Sequence, residues 1–222
     1  LNGEQTDAVK SYCGMRKIEV KKVNDIPRIF LNGKQIFQMG PLDQGWWPDG
    51  LYTAPSDEAL LFDVKEMKEL GFNMIRKHIK VEPSRWYMHC DREGILVWQD
   101  LPSPGLPAGH EAFARQNFEE EAVRIIDAFE NHPSIVQWVV FNEGWGHFDT
   151  ERMTQVVIDK VSPQSLVCCA SGWNDAEIGD IKDSHSYPYP SCPIDQKRAC
   201  VNGEYGGITL KVPGHIWPGG DF

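Results

Sequence analysis

The chain has 222 residues, of which 41% are hydrophobic and 24% are charged, a composition typical of a globular domain with a substantial core. Its 32 acidic and 22 basic residues give a formal net charge of -10 without a cluster of Lys or Arg, which disfavours nucleic acid and anionic membranes as partners. No apolar run approaches the roughly 20 residues that span a bilayer, so we expect a soluble protein, cytoplasmic or exported. The six cysteines form no C-x-x-C pair, which argues against a disulfide scaffold or a cysteine metal cage.

The first 23 residues are too few for a domain. Residues 12–20 alternate between polar and apolar side chains, which predicts one strand, and a polar linker follows. We interpret residues 1–23 as a remnant of a preceding β-sandwich domain. Because the chain starts at Leu1 and not at Met, we expect the native N-terminus to be absent.

A hairpin is predicted next. Asn32-Gly33 separates two short apolar segments, residues 29–31 and 35–37, and this dipeptide favours a type I′ turn. The second arm continues into residues 38–40, which we take as the candidate first strand of the following domain.

Helices and strands then alternate at short intervals. Ser56 predicts the N-cap of a helix that Gly71 ends, and Pro83 and Gly94 predict the limits of the next helix. Further helices are predicted at residues 111–131 and before Pro163. Strands are predicted at residues 72–76, 95–98, 135–141, 166–170, 181–187 and 199–203.

This alternation is typical of a parallel α/β fold and predicts a (β/α)8 TIM barrel over residues 24–222. The barrel is expected to be incomplete, because a full one takes about 250 residues and only seven strands can be counted. No helix pattern separates the fifth and sixth strands. The eighth strand and its helix are expected to be missing, which would leave two unpaired strand edges.

Two of the predicted strands run into a glutamate. A buried apolar segment leads to Asn142-Glu143, and a similar one leads to Gly203-Glu204. In a TIM barrel the chemistry is done at the carboxyl ends of the strands. Two carboxylates there could flank a glycosidic bond, about 5 to 5.5 Å apart in a retaining enzyme and about 6.5 to 9.5 Å apart in an inverting one. From the residues alone, solvated loop glutamates are an equal alternative.

Several motifs resemble glycoside hydrolase family 2, the β-galactosidase, β-glucuronidase and β-mannosidase family. The matches run in the expected order over almost the whole chain, from Tyr12 to Gly207. They are Gln44-Gly45-Trp46-Trp47-Pro48-Asp49-Gly50, Gly71-Phe72-Asn73-Met74-Ile75-Arg76-Lys77-His78, Trp98-Gln99-Asp100, Phe141-Asn142-Glu143 and Gly203-Glu204-Tyr205-Gly206-Gly207.

The resemblance implies roles for the two glutamates and two neighbours. Glu143 would be the acid/base, Glu204 the nucleophile, and Asn142 would bind the sugar 2-hydroxyl. The negative charge of Glu204 would keep Glu143 protonated, and glycosylation of Glu204 would let Glu143 act as a base. Tyr187 resembles the tyrosine that the family has near the nucleophile, with a packing aromatic as the alternative.

The resemblance also points to three residues on the second and third strands. Arg76 matches a family arginine that could support the nucleophile as a carboxylate. The family often has a histidine three positions later, where this chain has Ile79, so His78 is equally a sugar ligand or a packed structural residue. Asp100 is a candidate acceptor for a sugar hydroxyl, or a cap for the following loop.

Aromatic residues on segments that leave the strand ends could stack on sugar rings. Trp145 and Trp173 are the candidates retained, although packing is the better interpretation for any single tryptophan. His147 and His185 could bind a metal only if the fold brought them together, and their spacing is not that of a metal site. We therefore predict no metal and no cofactor.

Together these features predict a glycoside hydrolase, a retaining exo-β-glycosidase that acts on terminal β-linked sugars of an oligosaccharide or glycoside. A β-galactosidase-like specificity is favoured. The alternatives are β-mannosidase or β-glucuronidase specificity, and a non-catalytic carbohydrate-binding fragment. The full-length protein is a possible homo-oligomer.

Overall fold

The N-terminal segment forms a small antiparallel sheet. A computed structural model describes residues 7–103, 105, 111–210 and 213–214. Its first three strands, β1 (Ile18–Val23), β2 (Ile26–Leu31) and β3 (Lys34–Gln35), pair in that order. The hairpin predicted at Asn32-Gly33 is confirmed, with φ values of 51° and 77° in the left-handed region that this turn requires.

The first strand begins later than predicted. β1 starts at Ile18, not at residue 12, and a second left-handed turn at Asn24 and Asp25 joins it to β2. β1 pairs with β2 along its whole length, so it lies in one sheet with residues beyond position 23. The domain boundary at residue 23, and the origin of this strand in a sandwich domain, stay predictions.

The parallel part of the fold follows the predicted alternation. Its strands are β4 (Leu42–Asp43), β5 (Met74–Lys77), β6 (Leu96–Asp100), β7 (Ile135–Asn142), β8 (Leu166–Ser171), β9 (Ile181–Ser186) and β10 (Ala199–Tyr205). Its helices are α1 (Asp57–Glu69), α2 (Ser84–Glu93), α3 (Glu111–Phe129) and α4 (Thr150–Val161). As expected, residues 172–180 between β8 and β9 contain no helix.

The first parallel strand differs from the prediction. It is β4, and residues 38–40 instead run beside β5 through Asn73, whose backbone N–H donates to the Met39 carbonyl oxygen at 3.0 Å. Pro41 has no N–H and therefore interrupts a ladder at this point. The strand proper begins only at Leu42, which aligns with Arg76 of β5.

The helix limits are set by local chemistry. Ser56 Oγ accepts the Ala59 N–H at 3.2 Å and caps α1 as predicted. Gly94 adopts a left-handed conformation (φ 72°) and ends α2. Short caps of this kind return the chain directly to the next strand, so that the carboxyl ends of the parallel strands collect at one edge.

The seven parallel strands β4 to β10 form two sheets, which together we call the wall. One sheet has the order β4-β5-β6-β7-β8, and the other pairs β9 with β10. Among the described residues no eighth parallel strand follows β10, which agrees with an incomplete barrel. The open side between β10 and β4 faces a cavity of about 900 Å³.

The core has two layers. The larger cluster lies between the sheet and the helices, and the smaller one lies inside the wall, where Ile18 and Ile29 of the antiparallel sheet join it. β7 contributes to both layers and all eight of its residues are buried. None of the helices in the described residues combines the length and apolar character needed to cross a membrane.

Candidate active site

Glu143 sits on a tight turn directly after β7. Its backbone is left-handed (φ 52°), a conformation that a residue with a side chain rarely adopts and that is frequent at functional sites. The Glu143 N–H donates to the Ser171 carbonyl oxygen at 2.7 Å, and Asn174 Nδ2 donates to the Glu143 carbonyl oxygen at 2.8 Å. Both contacts come from the neighbouring strand and loop, so they hold the turn that aims the side chain.

Glu204 lies within β10. The sequence had instead predicted that the strand ends at residue 203, just before this glutamate. The ladder with β9 has a bulge between Asn202 and Glu204, which leaves Gly203 without a partner residue and redirects Glu204. Only glycine fits at position 203, because a Cβ there would collide with the carboxylate of Asp183. The Gly203 N–H donates to Asp183 Oδ1 at 2.6 Å and so fixes the bulge.

The two glutamates face each other across the wall. A carboxylate oxygen of Glu143, a carboxylate oxygen of Glu204 and a ring nitrogen of His185 all lie within 4.8 Å of one another. The separation of the two carboxylates is therefore close to that of retaining glycosidases, and shorter than the gap that an inverting water needs.

Arg76 of β5 is the centre of the cluster. Its guanidinium donates to both oxygens of Asp100 at 3.1 and 2.9 Å, to Asn142 Oδ1 at 2.8 Å and to Glu204 Oε1 at 3.0 Å. The side chains of Arg76 and Asp100 are 2% and 1% exposed, so this is a buried ion pair that reaches Glu204 at its open end. Four strands are joined through one side chain.

The charges of this cluster are mutually stabilised. Burial alone would lower the pKa of Arg76, but Asp100 raises it well above the ordinary value. Burial likewise opposes ionisation of Asp100, whereas Arg76 and His78 lower its pKa below the ordinary value. Arg76 is therefore a permanent cation. Asp100 is a carboxylate that accepts two of the hydrogen bonds from the guanidinium and neutralises its charge.

Tyr187 contacts the other oxygen of Glu204. It lies immediately after β9, and its hydroxyl donates to Glu204 Oε2. Burial and the hydrogen bond to Glu204 raise the pKa of Tyr187, so the hydroxyl remains a donor. Glu204 thus has a cation on one oxygen and a hydroxyl on the other.

The remaining predicted residues lie around this pair. His78 Nδ1 is 3.0 Å from Asp100 Oδ2 and 3.9 Å from Glu204 Oε1. Trp145 Nε1 donates to Glu143 Oε2 at 3.1 Å. Trp173 makes an edge contact with the His185 ring, with centroids 5.7 Å apart. The structure therefore brings all nine predicted site residues to one edge of the wall.

Three residues of the site were not predicted as such. The sequence pattern points to His185 only as a metal ligand, and it predicts no role for Ser171 or Asp183. A signal was present in the sequence, since Asp183, His185 and Tyr187 are spaced by two, and alternate residues of a strand point to the same side. The assignment of Tyr187 to the site could therefore have indicated Asp183 and His185 as well.

The arrangement of Glu143, His185 and Glu204 could also be considered for a metal ion. Both carboxylate oxygens of Glu204, however, already have partners outside this group. Oε1 is paired with Arg76, and Oε2 accepts the Tyr187 hydroxyl. A divalent cation would also lie next to the Arg76 guanidinium and be repelled by it. We therefore interpret the cluster as a hydrogen-bonded site and not as a metal centre.

Parallel strands that alternate with helices and carry polar groups at their carboxyl ends are typical of (β/α)-barrel enzyme domains. A family model described as "Glycosyl hydrolases family 2, TIM barrel domain" matches residues 22–205. The chain belongs to glycosyl hydrolase family 2.

Individual relatives cover parts of the chain. It is 30% identical over 140 residues to a β-galactosidase of Lactococcus lactis subsp. lactis, an alignment that covers 60% of this chain and 14% of that protein. A β-glucuronidase structure from Parabacteroides merdae has a TM-score of 0.67 and 20% identity, covering 85% of this chain and 24% of that one. A β-D-mannosidase structure from Dictyoglomus thermophilum has a TM-score of 0.60 and 24% identity, covering 83% and 25%.

These similarities concern a limited part of each relative. The chain spans 14% of the Lactococcus lactis enzyme and about a quarter of each of the two solved structures. The structural likeness covers 85% and 83% of this chain and shows the fold. The three relatives carry three different glycosidase names, so the fold is shared across specificities.

Proposed function

We propose that the chain is the catalytic barrel region of a retaining exo-β-glycosidase that works by double displacement. The observation that carries the proposal is the approach of the Glu143 and Glu204 carboxylates to within 4.8 Å. A retaining mechanism needs a nucleophile close to the proton donor, whereas an inverting one needs about 6.5 to 9.5 Å for a water molecule.

Glu204 is the nucleophile in this proposal. Arg76 at 3.0 Å and the Tyr187 hydroxyl both donate to its carboxylate, and donors of this kind favour the ionised form that attacks the anomeric carbon. Asn142 Oδ1 is occupied by Arg76, which leaves the Asn142 Nδ2 group to donate to a sugar 2-hydroxyl.

Glu143 is the acid/base. It protonates the leaving oxygen in the first step and removes a proton from water in the second. Trp145 and Trp173, whose residues are 61% and 62% exposed beside it, offer apolar faces on which a sugar ring can stack. His78 and Asp100 are proposed as further hydroxyl contacts, with Asp100 also fixing Arg76.

A neutral glycone suits the charges of the site. Among the described residues, Arg76 is the one Lys or Arg that forms an ion pair with either glutamate, and Asp100, Asn142 and Glu204 already accept from it. The carboxylate of a glucuronide would have to compete with Asp100 and Glu204 for the Arg76 guanidinium. A β-galactosidase-like specificity is therefore favoured, with β-mannosidase as the alternative.

The test is an assay of the protein that carries this chain, at its natural length, on a panel of nitrophenyl β-glycosides. We expect turnover of a neutral sugar with retained configuration at the anomeric carbon, and labelling of Glu204 by a matching 2-fluoro sugar. Glu204→Gln should lose at least about 10⁴-fold in kcat, since a covalent step depends on it.

Glu151→Gln is the matched control, because Glu151 is an exposed glutamate on α4 away from the cluster. Its activity should equal that of the wild type. An inverted product, or a label on another residue, would refute the assignment. A preference for the glucuronide would refute the argument from charge.

A further inference from the structure

A chain of hydrogen bonds runs from Glu143 into the wall. His185 Nδ1 lies 2.9 Å from Glu143 Oε1, and the other ring nitrogen, Nε2, lies 2.8 Å from Ser171 Oγ. Ser171 Oγ in turn lies 2.5 Å from Asp183 Oδ2, while Asp183 Oδ1 accepts the Gly203 N–H. The His185 and Ser171 side chains are fully buried, and Asp183 is 5% exposed, so no solvent competes along the chain.

The direction of each hydrogen bond follows from its inner end. An ionised Asp183 can only accept, so the Ser171 hydroxyl donates to it. Ser171 Oγ must then accept from His185, which requires the proton of a neutral imidazole to be on Nε2. His185 Nδ1 is left as an acceptor, and the group that it faces, Glu143, must supply the proton.

From this geometry we propose that His185 is a positioning residue that keeps the acid/base Glu143 in its protonated form, with its tautomer fixed by Ser171 and Asp183. The inference rests on the proposed glycosidase function. It adds that a residue inside the wall, without contact to substrate, sets the pH range in which Glu143 can act as an acid.

The nearest charged groups act against this tautomer, which the hydrogen bond between His185 Nε2 and Ser171 must therefore hold. Glu204 Oε2 is 3.6 Å from Nδ1, so a proton on Nδ1 would favour both glutamates as carboxylates and leave no acid for the first step. Arg76 Nη1 is 3.5 Å from Nε2 and opposes a proton there, so the 2.8 Å hydrogen bond to Ser171 Oγ has to outweigh this repulsion. The other ionisable groups nearby contact these neighbours. The Tyr187 hydroxyl donates to Glu204, Asp100 pairs with Arg76, and His78 contacts Asp100.

The inner carboxylate is held in place. Burial raises the pKa of Asp183 above its ordinary value, and Arg76 together with the donors Ser171 and Gly203 offsets part of that rise. Both oxygens of Asp183 have a fixed partner, one a backbone N–H that cannot reverse its direction. An amide at this position would therefore turn its oxygen to Gly203 and its NH₂ group to Ser171.

Asp183→Asn is thus expected to reverse the whole chain. The introduced amide donates to Ser171, the Ser171 hydroxyl donates to His185 Nε2, and His185 Nδ1 then donates to Glu143 and favours its carboxylate. The alkaline limb of kcat/KM should move to lower pH by about one to two units, because a hydrogen bond to a charged group contributes about 1.5 to 3 kcal/mol. Activity at acid pH should be retained.

Asp180→Asn is the matched control. Asp180 precedes β9, its burial also raises its pKa, and it accepts the Val167 N–H, but it has no contact with His185. This variant should keep the wild-type pH profile. A double-mutant cycle with Ser171→Ala separates the hydrogen bonds from the loss of charge, because without the Ser171 hydroxyl Asp183→Asn should move the limb no further. Equal shifts in both backgrounds would overturn the proposal.

A second readout does not depend on activity. Solid-state ¹⁵N spectra of histidine-labelled protein, with the His185→Asn spectrum subtracted, report which ring nitrogen carries the proton. We expect Nε2–H in the wild type and Nδ1–H in Asp183→Asn. A wild-type Nδ1–H signal overturns the inference even if Asp183→Asn does not fold.

The two proposals can fail separately. If the wild type turns over a glycoside and Glu204 is labelled but neither the limb nor the tautomer changes in Asp183→Asn, only the role of His185 is lost. If no glycoside is hydrolysed by the wild type, the proposed function is lost, and the inference that rests on it falls as well.

Discussion

The two glutamates are carried by strands of different character. β7, which leads to Glu143, has eight buried residues and pairs with β6 on one side and β8 on the other. β10, which contains Glu204, is mostly half-buried, and in the described part of the chain its one ladder partner is β9. Glu143 therefore follows a central, buried strand, whereas Glu204 belongs to a half-buried strand at the edge of the described sheet.

This difference shows two ways of fixing a catalytic group. Glu143 follows a strand held by apolar packing, where Trp138 and Phe141 of β7 are almost completely buried, and backbone contacts then fix its turn. Glu204 is positioned by polar contacts with Arg76, Tyr187 and, through Gly203, Asp183. Substitutions that remove buried apolar groups should consequently destabilise β7 most. Substitutions that remove ion pairs should destabilise β10 most.

The largest effect is expected for Arg76→Met. It should lower the free energy of unfolding by about 3 to 5 kcal/mol, because Asp100 would remain as a buried charge that keeps only its contact with His78. Chemical denaturation measures the loss. Adding Asp100→Asn should recover part of it, since the unpaired charge is then removed. A loss below about 1 kcal/mol would show that the ion pair does not tie the strands together.

A matched pair of valines tests the difference in packing. Val140 of β7 is completely buried, whereas Val201 of β10 is of intermediate exposure. Val140→Ala should cost about 2 to 3 kcal/mol through lost burial and the cavity that remains. Val201→Ala should cost under about 1 kcal/mol in the same denaturation experiment. Equal losses would contradict the view that β10 depends little on apolar packing.

An effect smaller than that of Val140→Ala is expected just before β10. Arg198 donates to both oxygens of Asp175, in the loop after β8, at 2.7 and 2.8 Å, and also contacts Asp195. Arg198→Gln should cost about 1 to 2 kcal/mol at neutral pH, as expected for hydrogen bonds to charged groups. Lys160→Gln, which removes an exposed ion pair with Asp127, is the control and should cost under about 1 kcal/mol.

The same contacts predict a dependence on pH. Arg198 hydrogen bonds hold the pKa of Asp175 below its ordinary value. At Asp195, slight burial acts in the opposite direction, but the backbone N–H groups of Arg198 and Lys197 lower its pKa to about 2. A carboxylate with a depressed pKa stabilises the fold above about pH 4 and loses that contribution in more acidic solution. The stability difference between wild type and Arg198→Gln should therefore shrink below about pH 4.

Much of the local structure could be predicted because its causes are local. The cap at Ser56, the left-handed end at Gly94 and the hairpin at Asn32-Gly33 each depend on a few adjacent residues. The buried run before Glu143 was readable as a parallel strand because both of its faces are apolar. Strand limits were less accurate, as with β1 and β4, because turn and ladder partners elsewhere decide them.

The interior of the site was only partly predictable. His185 offered no interpretable spacing as a metal ligand, and Ser171 is an ordinary residue at the end of a strand. Their importance arises from contacts between β8 and β9, and Asp183 is linked to Gly203 only through the bulge in β10. The two-residue spacing of Asp183, His185 and Tyr187 places them on one side of a strand, but it does not encode their contacts with Ser171 and Gly203 on other strands.

By itself, the sequence determined the order of the strands and helices, the two glutamates at the ends of their strands and the family resemblance, since these depend on residue type and short-range pattern. Tertiary structure alone decided that Glu143 and Glu204 approach within 4.8 Å and that Arg76 joins four strands. It also decided that His185 lies between the Glu143 carboxyl group and the buried hydrogen bonds of Ser171 and Asp183. The physical reason is that distance and hydrogen-bond direction across a parallel sheet depend on register, bulges and burial, which are set only when the strands meet.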